Sequence, residues 1–600
     1  MRKKLQVKRI WGIKCRNVIA FVLAMVMSFS AGTPALAAEQ VFPSGISYSE
    51  IGTEIEDYVK EHADTTAGVA VSVFDRDSVV YQNQFGYADK ENNLLVDEDT
   101  VFEWGSATKL LVWVSVMQLW EQGDIALDAD VRKYLPEGFL HNLNYDTPVT
   151  MTHLMNHNAG FQEVYADLFV KDGTNLPTLA EALVAHEPEQ IYEPGTVTAY
   201  SNWGVGLAAY VVECVSGMSF CDYVHENIFK PLGMAHTAIS TDLSDNTWVQ
   251  EKRKELQCYT TDATLIEDCF YYITIYPAGS CTSTMGDFLT FTQALLFQDT
   301  VLFESADTWN ELFSPTNYYG DSDILSNCHG FWVIPFAQTV VGHGGNTAGC
   351  SSNLLINLES GVGVVVMTNQ SQESVYNDDM MELIFGEFEN EQYFSEEREL
   401  PTGVYRPARI IRKGPMKFFS LSYQVGEWDT DEFWVHSIEN GVDKVSYSYS
   451  DYVSVPSYVF IGEMVLFLSW IVATLFSLIC LVGKGIGWAI NKIRRRKRTG
   501  QLLRKWSTLS CALQIVLLMI LLAIMVQVSA YATSDSYCWM FALCGVIAIV
   551  MSGLVIYGVR NIVKMPGSRM RKVYCATVVC GLIVTVVNVG YWELFMFWGV

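Results

Sequence analysis

Glu103-Trp-Gly-Ser-Ala-Thr-Lys-Leu-Leu-Val-Trp-Val-Ser-Val-Met117 is the stretch on which the reading of this 600-residue chain turns. From Ser106 onward, Leu110, Trp113, Val114 and Met117 recur at helical spacing, and Gly123 stands where a C-terminal cap belongs. Three residues along a helix is just under one turn, so Ser106 and Lys109 share a face. A serine hydroxyl is a poor nucleophile until a neighbouring base takes its proton. An amine one turn away can do this when burial or a second cation lowers its pKa. A serine at a helix N-terminus also offers its own N–H to a developing oxyanion.

Two further stretches carry matching chemistry. Tyr200-Ser201-Asn202 follows Glu193-Pro194-Gly195, and residues two apart on an extended segment point the same way. A phenol and a carboxamide can then converge on one site, where a tyrosine near an ammonium can shuttle a proton to the leaving group. Gly342-His343-Gly344-Gly345-Asn346 precedes Val-rich stretches. Its glycines let a substrate backbone lie close to a strand edge, and the amide that follows can complete an oxyanion hole. Around these motifs, Gly68–Asp75 and Ser78–Tyr87 read as a hairpin, and Ser352–Asn357 and Gly361–Thr368 as buried strands. Strands from both chain ends framing a largely helical middle imply one sheet built from both.

The ordered set Ser-x-x-Lys, Tyr-x-Asn, His-x-Gly resembles the class C β-lactamase-like serine hydrolases, which include D-alanyl-D-alanine carboxypeptidases, D-amino-acid peptidases and esterases. Leu127–Pro136, Val149–Gly160 and Pro277–Thr284 are similar to that family too, in its order, so the resemblance covers roughly residues 45–385. It implies a β-lactamase/transpeptidase-like α/β (α+β) fold: an antiparallel sheet flanked by helices, plus an all-α subdomain, with the site between them. It also implies Ser106 as the acylated nucleophile, Lys109 as its activating partner and Tyr200 as general acid/base. Asn202 would contact substrate or Lys109, and His343, Gly344, Gly345 and Asn346 would bind substrate, the N–H groups of Ser106 and Asn346 forming the oxyanion hole. No cofactor or metal is implied. His153 and His157 have metal-ligand spacing on a helix, but no third ligand accompanies them. One departure matters: β-lactamases proper place a lysine where this chain has His343, largely neutral at pH 7. That weakens the case for an efficient β-lactamase and resembles the peptidase and esterase branches.

Charge divides the chain. Residues 39–457 hold 63 acids and 18 bases, whereas residues 1–38 hold 7 bases and no acid, and 458–600 hold 14 bases against 3 acids. So acidic a middle repels phosphate backbones and excludes a nucleic-acid partner. The N-terminus reads as a signal peptide: a basic stretch, an apolar run from Val18 to Met27, then Ala35-Leu36-Ala37. Four uncharged runs near the C-terminus, Met464–Gly483, Trp506–Ser534, Ser536–Val559 and Val573–Trp592, have membrane length. Basic connectors follow the first (Arg494–Arg498) and the third (Arg560 to Lys572), so the positive-inside rule puts both in the cytoplasm and the acidic domain outside.

The expected organisation is a signal peptide (1–37), a hydrolase domain (38–395), a β-rich connector or stalk (396–457) and a four-helix membrane region (458–600), with spans near 462–483, 506–532, 537–559 and 573–597. Glu463 and Glu593 read as interfacial snorkelling carboxylates. Cys258 and Cys269 can close a short loop or remain buried thiols. The expected protein is a multi-pass cell-membrane enzyme, penicillin-binding-related, acting outside the cytoplasm on amide or ester bonds of small peptides or cell-envelope fragments. An esterase or acyltransferase using the same acyl-enzyme, or a non-catalytic sensor, are the rival readings.

Overall fold

The computed structural model describes residues 40–389, 393, 401–426, 428, 433–447, 449–494, 501–564 and 569–599. The expected signal peptide and the basic run 495–498 lie outside the described residues.

The Val-rich stretches pair across the length of the chain. Strands β1 (Gly68–Asp75), β2 (Val79–Asp89) and β3 (Leu94–Leu95) join β4 (Asn317–Tyr318), β5 (Leu325–Cys328), β6 (Phe331–Ile334), β7 (Val340–Asn346), β8 (Ser351–Asn357) and β9 (Val362–Thr368). The sheet order is β4-β5-β6-β7-β8-β9-β1-β2-β3. The central seam is antiparallel, with Val71 opposite Val366, so both chain ends build one sheet as expected.

The two central strands are apolar throughout because both of their faces are covered. Val69, Val71, Val73, Val364 and Val366 pack on Ile51, Ile55 and Val59 of α1 (Ile51–Glu61). Ala70, Phe74, Val365 and Met367 turn the other way, toward α2 (Lys109–Glu121), α3 (Asn202–Ser216) and α4 (Met285–Phe297). Each valine buried in this way contributes about 1.5–3 kcal/mol. Every residue of α2 from Lys109 to Leu119 is buried, as expected of a helix enclosed on all sides.

Two local expectations are corrected. The α-helix starts at Lys109, not Ser106; Gly105–Thr108 forms a 3-10 turn closed by the Thr108 hydroxyl donating to the Gly105 carbonyl at 2.6 Å. Tyr200 is extended, but Asn202 already opens α3, because the Ser201 hydroxyl caps it by accepting the Gly204 N–H at 3.0 Å. The glycine motif precedes β8 and β9 as expected, and is itself part of a strand, β7.

The segment after the hydrolase-like region folds as a second sheet: β10 (Val404–Pro407), β11 (Gln424–Val425), β12 (Val435–Glu439), β13 (Val442–Tyr447) and β14 (Ser450–Ser454), in the order β11-β10-β14-β13-β12. It is no detached stalk. The Asp451 N–H donates to Thr198 O at 2.8 Å, and Asp451 Oδ2 accepts from the Thr198 N–H at 2.9 Å. Lys444 Nζ donates to Thr196 O at 3.0 Å and pairs with Asp451 at 3.4 Å. These contacts clamp the residues that lead into Tyr200.

Four helices follow: α5 (Ser457–Ile493), α6 (Gln501–Ser529), α7 (Ser534–Lys564) and α8 (Arg569–Tyr591), each long and apolar enough to cross a membrane. Helix α8 stops at Tyr591, short of the expected 597, and Glu593 beyond it accepts the Gly414 N–H at 2.7 Å. Glu463 does not snorkel. It is 3% exposed, pairs with Arg406 at 3.0 Å and accepts the Tyr591 hydroxyl at 2.6 Å. The reason is that the connector brings a guanidinium down to the helix ends, where a buried carboxylate gains a partner. A disulfide joins Cys258 to Cys269.

Candidate active site

Ser106, Tyr200, Asn202, His343, Gly344, Gly345 and Asn346 line one cleft of about 440 Å3, and Lys109 sits behind it. All eight residues expected from the sequence therefore come together. Lys109 is fully buried, yet its ammonium position is well served: Nζ donates to Asn202 Oδ1 at 2.8 Å and to Ala278 O at 2.6 Å, and lies 3.0 Å from Ser106 Oγ. Burial holds the Lys109 pKa well below the ordinary lysine value, and the positive charge of Arg409 lowers it further, with Glu163 opposing.

Tyr200 presents a buried hydroxyl that makes no hydrogen bond of normal geometry among the described residues. Burial raises its pKa well above the ordinary phenol value, against the pull of the Ser106 hydroxyl and Arg409, so it keeps its proton. Lys109 Nζ and Arg409 Cζ each lie 4.9 Å from the centre of its ring.

His343 is 2% exposed. Trp332 Nε1 donates to its Nε2 at 3.2 Å, so Nδ1 carries the proton and donates to Gly344 O at 2.5 Å. Burial, then the charge of Lys109, push its pKa down to about 3, against the bond to Gly344, which fixes it as neutral. His153 and His157, spaced like metal ligands, are occupied otherwise: His153 Nδ1 accepts the Thr150 N–H and His157 Nδ1 the Ser201 N–H, both at 3.2 Å.

The glycines have a specific task. Strand β7 pairs with β6 only through Gly342, whereas its pairing with β8 runs on to Asn346. From His343 onward one edge of β7 carries no strand among the described residues and faces the cleft. The same segment closes on the Ser106 turn. A Cβ on Gly345 would fall 1.9 Å from Trp104 O and 2.9 Å from the Ser106 nitrogen, and one on Gly105 would fall 2.6 Å from the Asn346 nitrogen. The backbone N–H groups of Ser106 and Asn346 are thereby neighbours.

Among the lining residues that sequence reasoning missed are Arg409, Tyr449 and Tyr531. The connector supplies the first two. Arg409 donates through Nε to Glu163, which is 3% exposed, and the Tyr449 ring lies 6.3 Å from that of His343. One signal was available. Residues 406–417 carry Arg406, Arg409, Arg412, Lys413 and Lys417 with no acid, an anomaly in so acidic a domain.

Comparison with known proteins gives the family. The family model described as Beta-lactamase matches residues 55–385. The chain is 25% identical over 329 residues to "Penicillin-binding protein 4*" of Bacillus subtilis, covering 52% of this chain and 70% of that protein. It is 30% identical over 185 residues to "Esterase EstB" of Burkholderia gladioli, covering 28% of this chain and 45% of that one. Among solved structures it is similar to the octameric penicillin-binding protein homologue from Pyrococcus abyssi, with 20% identity, a TM-score of 0.48 and coverage of 68% of this chain and 99% of the other. It is likewise similar to D-amino acid amidase from Ochrobactrum anthropi SV3, with 22% identity, a TM-score of 0.47 and coverage of 56% and 97%. With the family match spanning more than half of its 600 residues, the chain belongs to the class C β-lactamase-like family of serine hydrolases.

Proposed function

We propose that this chain is a membrane-anchored hydrolase, with its catalytic domain outside the cytoplasm, that works through a Ser106 acyl-enzyme on amide or ester bonds of small peptides or cell-envelope fragments. The observation that carries the reading is the bonding of Lys109. A neutral amine has two N–H groups and one lone pair. Asn202 Oδ1 and Ala278 O take the two N–H groups, which leaves the lone pair for the Ser106 proton 3.0 Å away. The lowered pKa supports the same protonation state.

In this mechanism Ser106 Oγ bonds to the carbonyl carbon while its proton passes to Lys109 Nζ. The oxyanion is held by the N–H groups of Ser106 and Asn346. The scissile C–N or C–O bond then breaks, and Tyr200, which has kept its proton, gives it to the leaving group. The proton on Lys109 restores the phenol, and water hydrolyses the Ser106 ester by the reverse sequence. Arg409 never touches the reacting atoms; its charge favours neutral Lys109. Neutral His343, standing where a lysine would meet a substrate carboxylate, favours substrates uncharged at that point and keeps the esterase reading open.

The test labels membranes containing the full chain with a fluorophosphonate and with a fluorescent penicillin. Wild type is expected to label with the fluorophosphonate and Ser106→Ala not to. Labelling by penicillin as well would favour a carboxypeptidase. No labelling of folded wild type by either probe would overturn the acyl-enzyme reading and favour a binding domain.

A further inference from the structure

The cleft is walled partly by the membrane region. Tyr531, in the short loop between α6 and α7, lines the same cavity as Ser106. Its ring lies 4.5 Å from that of Tyr271 and 5.9 Å from that of Phe169. Three residues on, Ser534 opens α7, and Asp167 of the catalytic domain caps it, accepting the Ser534 N–H and hydroxyl at 2.6 Å each. A loop of four residues joining two membrane-length helices cannot stand far from the bilayer surface. Asp167 alone would be a brace; Tyr531 makes the loop a wall of the site.

The connector reaches the same place from the other side. Arg409 lines the cleft, while Ile411, two residues on and so within about 7 Å along the chain, packs in one apolar cluster with Trp470, Leu517 and Leu521 of α5 and α6. Phe418 follows, its ring 5.7 Å from those of Trp470 and Trp592. Arg406 pairs with Glu463 near the start of α5 and Lys417 Nζ donates to Tyr591 O at the end of α8, so the connector reaches the helix ends, the level at which headgroups sit.

We propose that the substrate is an amphiphile held in the bilayer, a peptide or ester headgroup on a lipid chain, which enters the cleft past Tyr531 without leaving the membrane. This rests on the Ser106 acyl-enzyme reading and on the four helices spanning a membrane. A freely diffusing peptide needs no wall at that level. A headgroup tethered at the interface needs its scissile bond brought to a serine held there, with an amphipathic ring beside the chain that stays in lipid.

The test compares two fluorophosphonates on the full-length chain in phosphatidylglycerol–phosphatidylcholine vesicles, one with a polar soluble tether and one with a long alkyl chain that partitions into the vesicles. The readout is the ratio of their second-order labelling rates at Ser106. Tyr531 is 38% exposed in a loop, so its replacement spares the core. Tyr531→Ala is expected to lower the alkyl-to-polar ratio about tenfold, and Tyr531→Phe, which keeps the ring, to restore most of it. A ratio unchanged by Tyr531→Ala, or a wild type that labels no faster with the alkyl probe, overturns the proposal while leaving the acyl-enzyme intact. Absence of labelling by both probes is a different result, and removes the acyl-enzyme reading on which the proposal stands.

Discussion

Replacing Arg409 by glutamine perturbs the active serine without touching it. Lys109 Nζ and Arg409 Cζ lie 4.9 Å from the same ring centre, so the two cations are no more than twice that apart. At about 10 Å and an effective dielectric of about 20, two unit charges repel by roughly 1.7 kcal/mol. That repulsion favours neutral Lys109, so removing it raises the Lys109 pKa. Glu163 remains, its charge favouring the ammonium as before, so nothing offsets the rise. At a pH below the rising limb of the profile, the neutral fraction and the labelling rate should both fall more than tenfold. The assay is the pH dependence of fluorophosphonate labelling of the full-length chain. The limb of Arg409→Gln should move to higher pH and rejoin wild type on the alkaline plateau. Glu163→Gln should move it the opposite way. Superimposed profiles, a limb moved to lower pH, or a uniformly lower plateau without displacement would refute the electrostatic account, the last because it signals lost positioning only.

Three shorter tests address the rest of the cleft. Tyr200→Phe removes the proton donor, and turnover of an amide should drop by about 10²–10⁴-fold, with a smaller loss for an activated ester whose leaving group needs no proton. Gly345→Ala forces a Cβ to 1.9 Å from Trp104 O; it should abolish labelling and cost about 1–3 kcal/mol of stability, read as a lower Tm. His343 has a folded pKa of about 3 against an ordinary 6.5. The unfolded chain thus binds the extra proton first, so this contribution to stability is complete above pH 6.5 and is lost as pH falls toward about 3. By about pH 5 the loss is roughly 2 kcal/mol, and His343→Gln should flatten the fall in Tm between neutral pH and pH 5.

The sequence made the sheet legible because Gly68–Asp75 and Gly361–Thr368 are apolar at nearly every position, a pattern that only a strand covered on both faces needs. Ser106, Lys109, Tyr200 and the glycine motif were legible because their order along the chain resembles one family; the local chemistry of each, such as an amine one turn from a hydroxyl, is compatible with the role but weak alone. Helix boundaries were misplaced by one turn for equally local reasons. The capping hydroxyl of Ser201 starts α3 at Asn202, a choice that periodicity cannot register. Arg409 and Tyr531 belong to another category. Their relation to Ser106 is set by how the connector sheet and the α6–α7 loop dock, through Asp451, Lys444 and Asp167, and long-range docking leaves no periodic trace.

The exchange of a lysine for His343 has a consequence for where positive charge resides. With His343 neutral, the cations of the cleft are Arg409 and, when protonated, Lys109. Arg409 is tied to a buried carboxylate, so a substrate carboxylate approaching it meets a pair already matched, and would have to displace Glu163 or lie beside it unpaired. The same pairing fixes the guanidinium 4.9 Å from the Tyr200 ring, where it acts on Lys109 whether or not substrate is present. A cation held in advance, and not recruited by substrate, tunes the base. On that account the connector supports the site, since a residue that lowers the Lys109 pKa beyond what burial does and the contacts that hold Tyr200 extended both come from it.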